Sequence, residues 1–170
     1  MAKSQGKVYT IKGIDEIVRG LIDIYRAPGD LPEKKKITAE LLMKNFNAKG
    51  CILCMLDEDK ITESLLFGQI PHLGKSPEEA EKNAAKEHII KEARIFFNRG
   101  KRVAGDKSSI HSIKLKEKGK DAVGTITTII RYKGKPLAMI ILLKPLRPCG
   151  NNEPIFRRIN PHIQSILIKQ

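Results

Sequence analysis

Residues 123–142 read VGTITTIIRYKGKPLAMIIL: two apolar runs on either side of a short polar turn at Lys133 and Gly134. Val123 to Tyr132 and Pro136 to Lys144 are rich in β-branched residues, and a tight turn ending in Gly between two such runs marks an antiparallel hairpin. Apolar residues occupy successive positions in both runs, so neither strand has a wet face. The sheet that holds them must therefore carry a layer of structure on each side.

Moving toward the N-terminus, His111, Ile113 and Leu115 alternate with Ser112, Lys114 and Lys116, the pattern of a half-exposed strand, with residues 116–121 as its turn. Arg102 to Gly105 reads as a short strand. Ser76, Pro77, Glu78 and Glu79 open a helix with a capping serine, a proline in the first turn and an acidic first turn. It is expected to run to about Asn98, stop at Gly100 and bury Ala85, Ile89, Ala93 and Phe96. Cys51 to Leu56 is apolar throughout, as in a strand near the middle of a sheet. Asp57 to Lys60 turn the chain into a second strand over 61–70, with Ile61, Leu65 and Phe67 on one face and Thr62, Ser64 and Leu66 on the other.

Three further helices flank these strands. Ile14, Ile17, Val18, Leu21, Ile22 and Tyr25 make one helical face, ended by Ala27, Pro28 and Gly29. Asp30, Pro32 and Glu33 open a second helix with the apolar face Ile37, Leu41, Leu42 and Phe46. Asn152, Glu153 and Pro154 open the last. Its face is Ile155, Ile159, Ile163 and Ile166, joined by Phe156 and Leu167, and Pro161 is expected to kink it. The chain has no internal repeat and no linker rich enough to divide it. A single α/β (α+β) domain over 1–170 follows, with 1–12 as an N-terminal tail and 13–170 globular.

The chain has 170 residues, with 41% hydrophobic and 30% charged. That suits one domain with a core and excludes a disordered chain. The longest purely apolar run, Leu137 to Leu143, is far short of the about 20 residues that span a bilayer. No apolar segment follows the basic N-terminus, so no secretory signal is read and a cytoplasmic protein is expected. The formal net charge is +13. A nucleic-acid partner is one reading, with Lys34 to Lys36 and Lys114, Lys116, Lys118 and Lys120 tracking phosphates. The other is that these lysines solvate a helix start and a hairpin tip, leaving nucleic-acid binding weak or absent. Cys51 and Cys54 sit three apart on a strand and so point to opposite faces, which denies them a shared metal or disulfide. Cys149 lies in a loop. His72, His88, His111 and His162 have no metal-ligand spacing, and no phosphate loop or Gly-x-Ser-x-Gly motif is present. No catalytic residues are assigned, and a non-enzymatic protein is expected.

The order of elements, the paired strands over 123–142, the closing Ile155 to Ile168 helix with Asn160, Pro161 and His162 near its middle, and the Asn47 to Leu56 passage together resemble the GAF domain family. A PAS-type sheet domain is the nearest alternative. The resemblance implies a sensory domain of signal transduction. Its central antiparallel sheet would carry the terminal helices on one face, and the long helix and a ligand cavity on the other. Signatures of the cyclic-nucleotide-binding, bilin-carrying and methionine-sulfoxide-reducing members are absent, so the resemblance names no cofactor. It places a small-molecule pocket among Ser64, Phe67, Phe97, Ser109, His111, Thr125 and Thr127. It also implies a homodimer through the first and last helices, and an output domain or a partner signalling protein.

Overall fold

The computed structural model describes residues 11–58, 60–69, 78–99, 108–114, 122–143 and 153–168. In chain order these form α1 (Ile11–Arg26), α2 (Leu31–Phe46), β1 (Gly50–Asp57), β2 (Lys60–Gly68), α3 (Glu78–Arg99), β3 (Ser108–Lys114), β4 (Ala122–Tyr132), β5 (Lys135–Leu143) and α4 (Glu153–Ile168). Helices beside one antiparallel sheet make the chain α+β. The strand order is β2-β1-β5-β4-β3. The hairpin at 122–143 thus supplies the middle strand, β5, with β1 beside it. Its turn has positive φ at both Lys133 (53°) and Gly134 (78°), the pairing a two-residue hairpin needs to match strand twist, and Gly adopts it without strain. The short strand expected at Arg102 to Gly105 lies outside the described residues.

Alternation along the strands sorts the core into two layers. Cys51, Leu53, Ile126, Ile130, Ala138, Ile140 and Leu142 pack with α1, α2 and α4. Ile52, Cys54, Ile129, Met139, Ile141 and Leu143 pack with Ile89, Ile90 and Ala93 of α3. The two cysteines therefore lie on opposite faces, and both are free and buried. On β2 the sequence reading needs correction. A bulge pairs Met55 with Glu63 but Leu56 with Ile61, leaving Thr62 extra. One inserted residue reverses the parity of what precedes it, so Ile61 joins Leu66 on the α3 side while Phe67 packs on the other.

The helical layer differs from its expected faces in detail. In α1 the buried residues are Ile14, Ile17, Leu21 and Ile24, and Tyr25 is 39% exposed. In α2, Leu42 and Phe46 are buried as expected, but Ile37 is 41% exposed. It lies about 140° around the helix from Leu42, whereas Thr38 lies about 40° away and is buried. Lys34 and Lys35 take the inward places that an apolar stripe would have filled. The Lys34 ammonium donates to the Tyr25 carbonyl at 3.2 Å, a cation on the negative end of α1. Lys35 bonds Glu63 of β2 at 2.6 Å. Asp30 caps α2 by accepting from the Glu33 amide at 3.0 Å, and Asn47 ends it in the left-handed region.

The last helix closes this layer. Phe156 stacks on Phe46 with ring centroids 5.3 Å apart, and Arg158 bonds Asp15 of α1 at 2.7 Å. The helix continues through Pro161 to Ile168. Ile159, Ile163 and Ile166 are fully buried within the chain. The stripe expected to be shared with a second subunit is thus filled by α1, α2 and the sheet, and a dimer through the first and last helices loses the surface that suggested it. No described helix is long and apolar enough to cross a membrane.

Candidate functional site

Hydroxyls interrupt the apolar pattern of β4. Thr125, Thr127 and Thr128 are all buried, and their parity divides them between the layers. Thr128 shares the side of Ile126 and Ile130, where its Oγ1 accepts from the Asn160 amide of α4 at 2.9 Å. Thr125 and Thr127 share the side of Ile129, which is the α3 side. Thr127 Oγ1 is buried without a hydrogen-bond partner. A buried hydroxyl that gives up water and gains nothing costs about 1–3 kcal/mol, so this atom is the most conspicuous polar feature of that layer.

The register places the expected site residues relative to it. Ser109 pairs with Thr127 and His111 with Thr125 across the β3–β4 ladder. Four of the seven expected residues thus form two rungs, one on either side of the Ile110–Ile126 rung. The side chains of Ser109 and His111 lie outside the described residues, as does that of Phe97, whose backbone belongs to α3. Ser64 pairs with Cys54 and so takes the same face, but on the opposite edge strand. Three strand spacings, about 14 Å, separate it from β4. Phe67 leaves the set: paired with Cys51, it packs into the terminal-helix layer. Ser64 and Phe67 are an odd number of residues apart in a regular part of the strand, so one cavity on one face cannot hold both.

The remaining chemistry is sparse. Burial pushes the thiols of both Cys51 and Cys54 up to about 12, reinforced at Cys51 by Cys54 and at Cys54 by Glu87. Both stay protonated, and neither is a nucleophile at neutral pH. Among the described residues no group of three or more His, Cys, Asp and Glu is placed to hold a metal. His72 lies outside them, and His88 on α3 and His162 on α4 are half-buried. The basic run Lys34 to Lys36 does not form a phosphate-tracking stripe, since only Lys36 is exposed.

The sequence reading missed one concavity. Where α1 breaks and α2 begins, a groove of about 260 Å³ opens among Asp23, Ile24, Pro28, Glu33, Lys34 and Ile37. Its signals are the Ala27, Pro28, Gly29 break and an isoleucine off the buried face of α2. No protein-family model matches the chain, and no curated protein matches it either.

Proposed function

We propose that the chain is a non-catalytic sensory domain of GAF-like character that binds a small molecule on the α3 side of its sheet, against β4 and β3. The observation that carries this is the buried, unpartnered Thr127 Oγ1. Thr127 is paired in register with Ser109, and Thr125 on the same face of β4 with His111, beside an apolar cluster that includes Ile129 and Met139. Small-molecule sites combine an apolar enclosure with a few polar groups that fix orientation. A hydroxyl donating to or accepting from a ligand would gain the partner that it lacks. The GAF resemblance adds a consistent frame, in which α1 and α4 meet on one face and the ligand takes the other. Signal transduction and a cytoplasmic setting belong to the same proposal, as does the absence of a catalytic centre.

The test is a thermal-shift screen of the whole chain with nucleotides, haem and small carboxylic acids, backed by native mass spectrometry of protein purified from its own cells. Binding to the folded state alone raises the melting temperature with ligand concentration, by mass action. A ligand of this site loses that effect in Thr127→Val and His111→Ala. A shift that survives both substitutions would put the site elsewhere. The absence of a shift with every probe, together with no co-purified small molecule, would remove the sensory reading.

A further inference from the structure

The groove at the α1–α2 break and the β4–β5 turn are opposite in charge, each with exposed apolar surface, and they lie at the same end of the molecule. The groove has an apolar floor from Ile24, Pro28 and Ile37, flanked by the Asp23 and Glu33 carboxylates. Neither carboxylate has an ion-pair partner among the described residues. The one cation of the lining, Lys34, is held by the Tyr25 carbonyl. Tyr25 (39% exposed) and Ile37 (41%) leave apolar surface around it. The turn presents the converse: an exposed Tyr132 (36%) followed by the exposed Lys133 and Lys135. The Lys133 ammonium lies 5.2 Å from the centre of the Tyr132 ring.

Their common location follows from the register. Glu63, Met55, Ala138 and Ile130 form one row across β2, β1, β5 and β4. Lys35, in the second turn of α2, bonds Glu63 in that row. The helix then runs away to Phe46, close to where Gly50 starts β1. Its first turn and the groove therefore lie at or beyond the row. Tyr132 is two residues past Ile130, about 7 Å further in the same direction.

We propose that two copies of the chain associate end to end, the Tyr132 ring of each entering the α1–α2 groove of the other, with Lys133 and Lys135 facing the partner's acidic rim. A knob and a hole on one end allow a two-fold pairing in which both contacts form and the assembly closes. Tyrosine suits the role because its ring fills an apolar pocket while its hydroxyl remains wet. The exposed Asp57 and Glu58 on the adjoining β1–β2 turn add negative charge at the end that the partner's lysines approach.

Sedimentation equilibrium of the full chain from about 1 to about 300 µM tests this. Wild type is expected to dimerise, and more weakly as salt rises, since exposed charges are screened. Tyr132→Ser, a change at an exposed turn that leaves the fold intact, should raise the dimer dissociation constant about tenfold or more. Lys133→Glu with Lys135→Glu in one chain, or Asp23→Lys with Glu33→Lys in another, should each abolish the homodimer. Mixed together, these two variants should form a heterodimer, because each tip then meets a groove of opposite charge. A wild type that stays monomeric throughout, or a dimer indifferent to Tyr132→Ser, would overturn the proposal. So would a dimer lost on removing residues 1–10 but not on charge reversal, which would give the groove to that basic segment.

Discussion

Among the described residues, the two faces of the sheet are packed by different amounts of apolar structure. On one, α1, α2 and α4 bring in the buried rings of Phe46 and Phe156, together with Leu21, Leu42, Ile159 and Ile163. Asn160 of the last helix donates to Thr128 of the sheet, although Asn160 Oδ1 and the Thr38 hydroxyl on this side have no partner. On the other, among the described residues, α3 offers Ile89, Ile90 and Ala93 to a smaller cluster, and the Thr127 hydroxyl of the strand itself goes without a partner. Close packing of large buried side chains is how a domain acquires stability. Stability is expected to rest chiefly on the terminal-helix face, while the ligand site proposed above lies on the α3 face.

The largest expected effect tests the terminal-helix face. Phe156→Ala removes one ring of a stacked pair and leaves a cavity that α1 and the sheet cannot fill, which costs about 3–5 kcal/mol. Ile89→Ala on α3 is expected near the lower end of its range, about 2 kcal/mol, because the smaller layer can relax into the space. Urea unfolding monitored by circular dichroism measures both. Equal losses would erase the distinction between the faces.

One buried cysteine on each face provides an internal probe. In the native state both thiols stay protonated and shielded, so a thiol reagent at mild alkaline pH reacts only through opening of the protein. In single-cysteine chains, Cys54 should be labelled faster than Cys51, since the α3 layer opens first if it is the weaker. Equal rates equal to global unfolding would contradict that. The same thiols make stability depend on pH. Their folded values of about 12 lie above the reference value of 9.0, so from pH 9 upward the unfolded chain releases protons that the folded chain keeps. Their contribution is fully present below pH 9 and is lost as pH rises toward 12, by up to about 1.4 kcal/mol per pH unit for each thiol. Replacing both cysteines with alanine should flatten the alkaline limb of a stability–pH profile.

How far the sequence foretold this contrast varies by element. The β4–β5 hairpin was plain, because Lys133 and Gly134 separate two runs too apolar to have a wet face. Thr125 and Thr127 were also legible as a pair, since residues two apart share a face whatever the register. Phe67 was misplaced beside Ser64 although their odd spacing already put them on opposite faces. Ile61 could not be placed from sequence, as nothing in Asp57 to Glu63 announces a bulge. The face of α2 was hidden for another reason. Lysine stems are apolar enough to line an interior provided the ammonium finds an acceptor. Lys34 and Lys35 find theirs in the Tyr25 carbonyl and in Glu63, both distant in sequence. An apolar-only pattern therefore selected Ile37, the residue that the fold leaves outside and that now edges the groove.

The intermediate effect concerns the satisfied polar contact. Thr128→Val removes the acceptor of Asn160 Nδ2, and Asn160 Oδ1 already lacks a partner. A buried amide with neither end bonded costs about 1–3 kcal/mol. Adding Asn160→Leu should recover most of that loss, because an apolar pair replaces the whole polar unit. A double mutant no better than Thr128→Val alone would mean that the amide has some role other than this contact.

The smallest effect is also the sharpest, because it is the same substitution one residue earlier. Thr127→Val exchanges an unpartnered hydroxyl for a methyl of nearly the same shape, at a fully buried position on the other face of the same strand. No hydrogen bond is broken, so the term that penalises Thr128→Val is missing. Removing an unmet polar group instead relieves part of its desolvation cost. The ligand-free protein should gain about 0.5–1 kcal/mol, read as a higher midpoint of urea unfolding with an unchanged slope. Two neighbouring threonines, both buried, would then respond to one substitution with opposite signs. If Thr127→Val destabilises as Thr128→Val does, its hydroxyl has a structural partner in solution, as that of Thr128 has. The polar rungs with Ser109 and His111 would then be structural, and the main support for a ligand there would be gone.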